Sequence, residues 1–91
     1  MPDKIHCAHM LVKTENEAKT IIERLNKGEK FANVARQVSL CPSAKRGGDL
    51  GNFGRGVMVK EFKTAAFTLG KGETSPPVKT RFGYHVIKRL E

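Results

Sequence analysis

Residues 5–12 alternate as a pleated strand does. Ile5, Cys7, His9 and Leu11 fall on one face, and His6, Ala8, Met10 and Val12 on the other. The period then changes. Thr14-Glu-Asn-Glu17 fits a capping box, in which Thr14 covers one free amide and Glu17 reaches back to another. Ala18, Ile21, Ile22 and Leu25 follow at i, i+3, i+4 and i+7, the stripe of an amphipathic helix, with Gly28 where a C-cap would stand. Phe31, Val34, Ala35 and Val38 repeat that spacing and predict a second helix. A strand followed by two helices within forty residues excludes an all-β or all-α chain.

Beyond Pro42, which stops or restarts the chain, a short helical turn fits residues 43–46 before Gly47-Gly48. Residues 49–53 suit a short strand, Gly54-Arg-Gly56 a turn, and residues 59–69 a helix that Gly70 ends. Pro76-Pro77 demotes the next segment to an edge strand. Residues 84–89 form a strand with His85, Ile87 and Arg89 on one face. The order β-α-α-(short α)-β-α-β-β lacks regular βαβ alternation and predicts an α+β fold.

At 91 residues the chain is one domain and buries roughly 60–65% of its unfolded surface. Trp is absent, so aliphatic residues and five Phe must fill the core. Two cysteines, Cys7 and Cys41, make no disulfide framework and are expected as free thiols. No apolar run approaches the ~20 residues of a membrane span. The first residues are too polar for a secretory signal, so the expectation is a cytoplasmic protein. The net charge of +8 is spread along the chain. It favours weak attraction to anionic membrane or nucleic acid, with Lys60, Lys63, Lys79, Arg81, Lys88 and Arg89 as contacts. One Tyr and no Trp are a poor set for base stacking.

Residues 39–62 concentrate the chemistry: a cysteine, a glycine-rich run, then Met58 and Phe62 four residues apart, which share a face if the segment is helical. The glycines match neither a P-loop nor GxGxxG and read as tight turns. His6, Cys7, His9 and Cys41 are metal-ligand types, but in a strand His6 points away from Cys7 and His9, and no metal or other cofactor is expected.

Three segments, in order, resemble the parvulin peptidyl-prolyl isomerases. HMLVK at 9–13 fits an H-x-L-V-K opening. CPSAKRGGDLG at 41–51 fits C/D-x-S-A-x-x-G-G-D-L-G, and FGYHVI at 82–87 fits F-G-x-H-V/I-I. The resemblance covers nearly the whole chain. It implies a four-stranded antiparallel sheet surrounded by four helices, with rotation of Xaa-Pro bonds as the activity. A peptide bond resists twisting by about 18–20 kcal/mol because resonance holds it flat. Twisting leaves a lone pair on the proline nitrogen, so an apolar cup that prefers the twisted form lowers the barrier without covalent chemistry.

The resemblance assigns Leu50, Met58, Phe62 and Phe82 to the proline cup. By spacing alone, a Met/Phe pair is ordinarily core packing. It also assigns His9 and His85 to a hydrogen-bonded pair beneath the site, which Thr80 joins, and sets Cys41 near the substrate carbonyl. Parvulins carry Cys or Asp at that last position, which argues for a polar neighbour over a nucleophile. Relatives that select phospho-Ser/Thr carry an inserted basic loop after the first strand; here Lys13 is followed at once by Thr14, Glu15, Asn16 and Glu17. The expectation is a phosphate-independent, monomeric prolyl isomerase acting on proline-containing polypeptides. A peptide-binding module that uses the same groove without catalysis is its rival.

Overall fold

The computed structural model describes residues 4–54 and 59–90, with side chains described for residues 5–51 and 59–90. Its elements are β1 (Lys4–Val12), α1 (Glu15–Asn26), α2 (Phe31–Val38), a 3-10 helix (Pro42–Arg46), β2 (Asp49–Gly54), α3 (Lys60–Thr68), β3 (Val78–Thr80) and β4 (Gly83–Arg89). The strands form one antiparallel sheet in the order β2-β1-β4-β3. The α+β order expected from sequence is the order found. The four expected helices resolve into three α-helices and one 3-10 helix. That last element begins on Pro42, whose fixed φ suits a first helical position, one residue earlier than expected.

Strand parity divides the core in two. Ala8, Met10, Val12 and Val86 pack with Ala18 and Ile21 of α1 and with Phe31, Val34 and Ala35 of α2. On the other face Ile5, Cys7 and Ile87 pack with Phe62 and Ala66 of α3. Both faces of β1 are therefore covered, which is why its residues from Ile5 to Met10 read as nearly continuous burial. Each fully buried Val, Ile, Met or Phe side chain here contributes about 1.5–3 kcal/mol of transfer free energy.

α1 keeps half of its expected capping box. Thr14 Oγ1 accepts from the Glu17 N–H at 3.2 Å. Glu17 does not reach back to a backbone amide; its carboxylate accepts from the Thr14 hydroxyl at 3.0 Å. At the other end Lys27 is the cap and Gly28 stands one place beyond it. The Gly28 N–H reaches Leu25 O and the Glu29 N–H reaches Arg24 O, a Schellman closure. Thr14→Ala is expected to lower stability by about 1 kcal/mol, read from the urea midpoint at unchanged slope. α3 likewise ends before Gly70, with Leu69 as its cap. Gly54 closes β2, and the rest of the expected Gly54-Arg-Gly56 turn lies outside the described residues.

A bulge between β1 and β2 decides which face Leu50 joins. His6 pairs with Asn52, but Ala8 pairs with Asp49, so β2 carries one extra residue there. In an unbroken ladder Leu50 would stand opposite Ala8 and face α1 and α2. The shift puts Asp49 there and turns Leu50 to the opposite face, where it packs against the cluster of Phe62 and Ile87. Gly51 permits this by taking a φ of +71°, and its N–H is held by Asp49 Oδ1 at 2.7 Å.

Candidate active site

His9 and His85 stand on the α3-side face of the two central strands. His9 is the register partner of Ile87 and His85 that of Leu11, so the imidazoles are diagonal neighbours, within ring reach. Their Nδ1 atoms are 3.0 Å apart and the rings nearly parallel, at 19°. Thr80, at the end of β3, places its hydroxyl 2.8 Å from His85 Nε2 and accepts from the Phe82 N–H at 3.2 Å. Phe62 projects from α3 edge-on to both imidazoles, with centroids 5.4 Å from His9 and 5.3 Å from His85. Gly48 fixes β1 from the far side: its carbonyl accepts the His9 N–H at 2.9 Å, and a Cβ at Gly48 would meet that residue's carbonyl oxygen at 2.3 Å. In the sequence, Gly48 is indistinguishable from the ordinary turn glycines around it.

Burial sets the protonation state. His9 is pushed down to about 4, first by burial and then by repulsion from His85, and burial also lowers His85. Both are therefore neutral at pH 7, and in their Nδ1-to-Nδ1 bond one nitrogen donates and the other accepts. Two proton arrangements satisfy the chain. If His9 Nδ1–H donates, His85 Nδ1 accepts, and the single ring proton of His85 sits on Nε2 and is donated to Thr80. If His85 Nδ1–H donates, Thr80 donates to His85 Nε2 and His9 Nε2 bears a proton. His9 Nε2 is buried without a hydrogen-bond partner among the described residues. Thr80 thus sets whether that unpaired nitrogen offers a lone pair or an N–H. Thr80→Val is expected to cost about 1–2 kcal/mol by orphaning His85 Nε2, and to shift the imidazole nitrogen resonances of both histidines.

The remaining expected residues are distributed differently. Leu50 is half-buried against the Phe62 cluster. Phe82 is 57% exposed, with the Arg81 guanidinium 5.0 Å from its ring centroid. Phe62 has no exposed surface. It supports the imidazoles and offers no wall to solvent. α3 begins at Lys60, so the i, i+4 helical spacing with Met58 does not lie within α3; Met58 itself lies outside the described residues. Cys41 caps the 3-10 helix, half-buried, with its N–H on Ser39 Oγ at 3.3 Å. Among the described residues no hydrogen bond joins its thiol to the histidine pair. The sequence pattern also hid a partner for His6, whose Nε2 lies 2.6 Å from Asp49 Oδ1, because only the bulge brings Asp49 to the His6 face.

Known proteins are similar to this chain in sequence and fold. Residues 7–91 match the rotamase family, described as the PPIC-type PPIASE domain. The foldase protein PrsA 4 of Bacillus cereus is 54% identical over 86 residues, which is 93% of this chain and 31% of that protein. The chain thus spans about a third of the length of that relative. Two solved structures are matched over nearly their whole length. The parvuline of Nitrosopumilus maritimus superposes with a TM-score of 0.91 at 49% identity, covering 100% of this chain and 99% of its own. Pin of Cenarcheaum symbiosum superposes at 0.88 with 59% identity, covering 100% and 95%. With the match running from β1 to the end of the chain and the sheet shared with solved parvulins, the chain belongs to the rotamase family of PPIC-type, parvulin-type peptidyl-prolyl isomerase domains.

Proposed function

We propose that this chain accelerates cis/trans rotation of Xaa-Pro bonds in exposed or unfolded polypeptide, without covalent chemistry and without a phosphate before the proline. The observation that carries this reading is the neutral, buried chain His9–His85–Thr80 with Phe62 laid edge-on across both rings. A neutral polar network covered by an apolar floor disfavours the planar, strongly dipolar amide relative to the twisted one, and so binds the transition state differentially.

In this reading Leu50, Met58 and Phe82 hold the proline ring, and Phe62 is the floor between that ring and the imidazoles. His9, His85 and Thr80 position the polar network. Cys41 is a polar neighbour of the substrate carbonyl; isomerisation needs no nucleophile. The first connection supports phosphate independence. β1 ends at Val12 and α1 begins at Glu15, and α1 carries Glu15 and Glu17 in its first turn. Lys13 is the one cation in that connection, and a doubly charged phosphate is best gripped by paired guanidiniums.

The test follows the slow refolding phase of a protein limited by Xaa-Pro isomerisation, which takes tens to hundreds of seconds unaided. Catalytic amounts of the chain are expected to shorten that phase. Two peptides that differ only in leucine or phosphoserine before proline are expected to favour leucine. An unaltered refolding phase despite peptide binding selects the non-catalytic peptide-binding module instead.

A further inference from the structure

On the sheet face away from the imidazoles lies a cleft of about 680 Å³ that isomerisation does not use. Its location follows from parity: Ala8 and Lys88 are register partners, on the face opposite His9 and Ile87. The floor is apolar. Ile22 and Leu25 of α1, and Leu90 beyond β4, line it and are only half-buried at the margin of the larger core cluster.

The rim is cationic. Lys30, Arg46 and Lys88 line it, and among the described residues none of them is in an ion pair. Arg46 donates to the Asp49 backbone carbonyl at 3.4 Å and adds a minor electrostatic pull on that residue's carboxylate, without forming an ion pair. Two carboxylates also line the cleft, and both are engaged elsewhere. Glu29 accepts from Arg24 Nη2 at 2.8 Å and from Nε at 2.9 Å. Asp49 accepts from His6 at 2.6 Å and from the Gly51 N–H at 2.7 Å, which holds its carboxyl below the usual range.

Three cations outside any ion pair among the described residues, over a recessed apolar floor, match one ligand chemistry: negative charge beside an apolar side chain. A flat anionic bilayer would meet the rim and leave the floor empty. We propose that this cleft docks an acidic polypeptide segment carrying an apolar anchor, as a second peptide-binding surface separate from the proline site. The net charge of +8 steers such a segment toward the protein from a distance. Docking there would raise the local concentration of the same polypeptide's prolines at the opposite face.

The test is an amide-resonance titration of the 91-residue chain with a short, proline-free glutamate–leucine peptide at low salt. Shifts are expected at Gly28, Lys30, Gly47 and Lys88, with Thr80, Phe82 and His85 unmoved. The double variant Lys30→Glu/Lys88→Glu is expected to weaken binding about tenfold or more while leaving prolyl isomerisation at its original rate. A glutamate–serine peptide, which lacks the anchor, is expected to bind more weakly. The proposal is overturned if shifts fall on Thr80 and His85, if the double variant binds unchanged, or if the peptide leaves the spectrum unmoved. It is also overturned if the serine peptide binds equally well, or if phosphatidylglycerol vesicles perturb these amides and the peptide does not.

Discussion

Phe62→Ala is expected to remove about 4 kcal/mol of folding stability. The ring has no exposed surface, packs with Ile5, Cys7, Ala66 and Ile87, and lies edge-on to both imidazoles. Truncation deletes the buried ring, opens a cavity under α3, and forfeits two edge-to-face contacts that add to area burial. A domain of 91 residues holds in total about 5–14 kcal/mol. The alanine variant is therefore left with about 1–10 kcal/mol, and at the low end of that range its loss of turnover would report folding as much as the proline site. Phe62→Leu separates the two, because it keeps apolar volume and loses the ring. Urea unfolding of both variants checks the expectation. A loss under about 1 kcal/mol for alanine would mean that Phe62 is not packed as described.

The second large effect is a loss of about 3 kcal/mol as pH falls from about 6.5 to about 4, from His9 alone. In the unfolded chain its imidazole titrates near 6.5; in the fold, burial and His85 push it down to about 4. Between those values the unfolded state binds a proton that the folded state refuses, so stability rises with pH across this window. The contribution is fully present above about 6.5 and lost as pH falls to about 4. His85, lowered by burial, adds a change of the same sign. Urea midpoints across the window measure the slope, and an NMR titration identifies the group. A His9 imidazole that titrates near 6.5 in the folded protein contradicts the buried, neutral pair.

These effects rest on features that differ in how far the chain announces them. Period 2 over residues 5–12 and the stripes at Ala18 and Phe31 are local patterns, legible because each element must bury its own apolar face. The edge position of β3 is legible from Pro76-Pro77 for the same local reason. Leu50's face is not, since a bulge exists only relative to a partner strand, and a single extra residue reverses the side on which Leu50 and Asp49 emerge. The His6–Asp49 bond shares that dependence. The histidine pair required register as well: parity alone puts His9 and His85 on apolar faces, while their diagonal adjacency comes from the pairing of Leu11 with His85. Phe62's burial was hidden because an exposed pocket wall and a buried support have the same helical spacing.

The most direct measurement is exchange NMR on a short unphosphorylated Leu-Pro peptide, following cis–trans conversion with and without the chain at pH 7. The uncatalysed exchange, on the order of tens of seconds or slower, is invisible on the NMR mixing timescale. The account predicts cis–trans cross-peaks when the chain is present, weakened in a folded Met58→Ala or Phe82→Ala variant. Peptide resonances that shift on binding, with no exchange between the isomers, would contradict it and leave a peptide-binding domain in place of an isomerase.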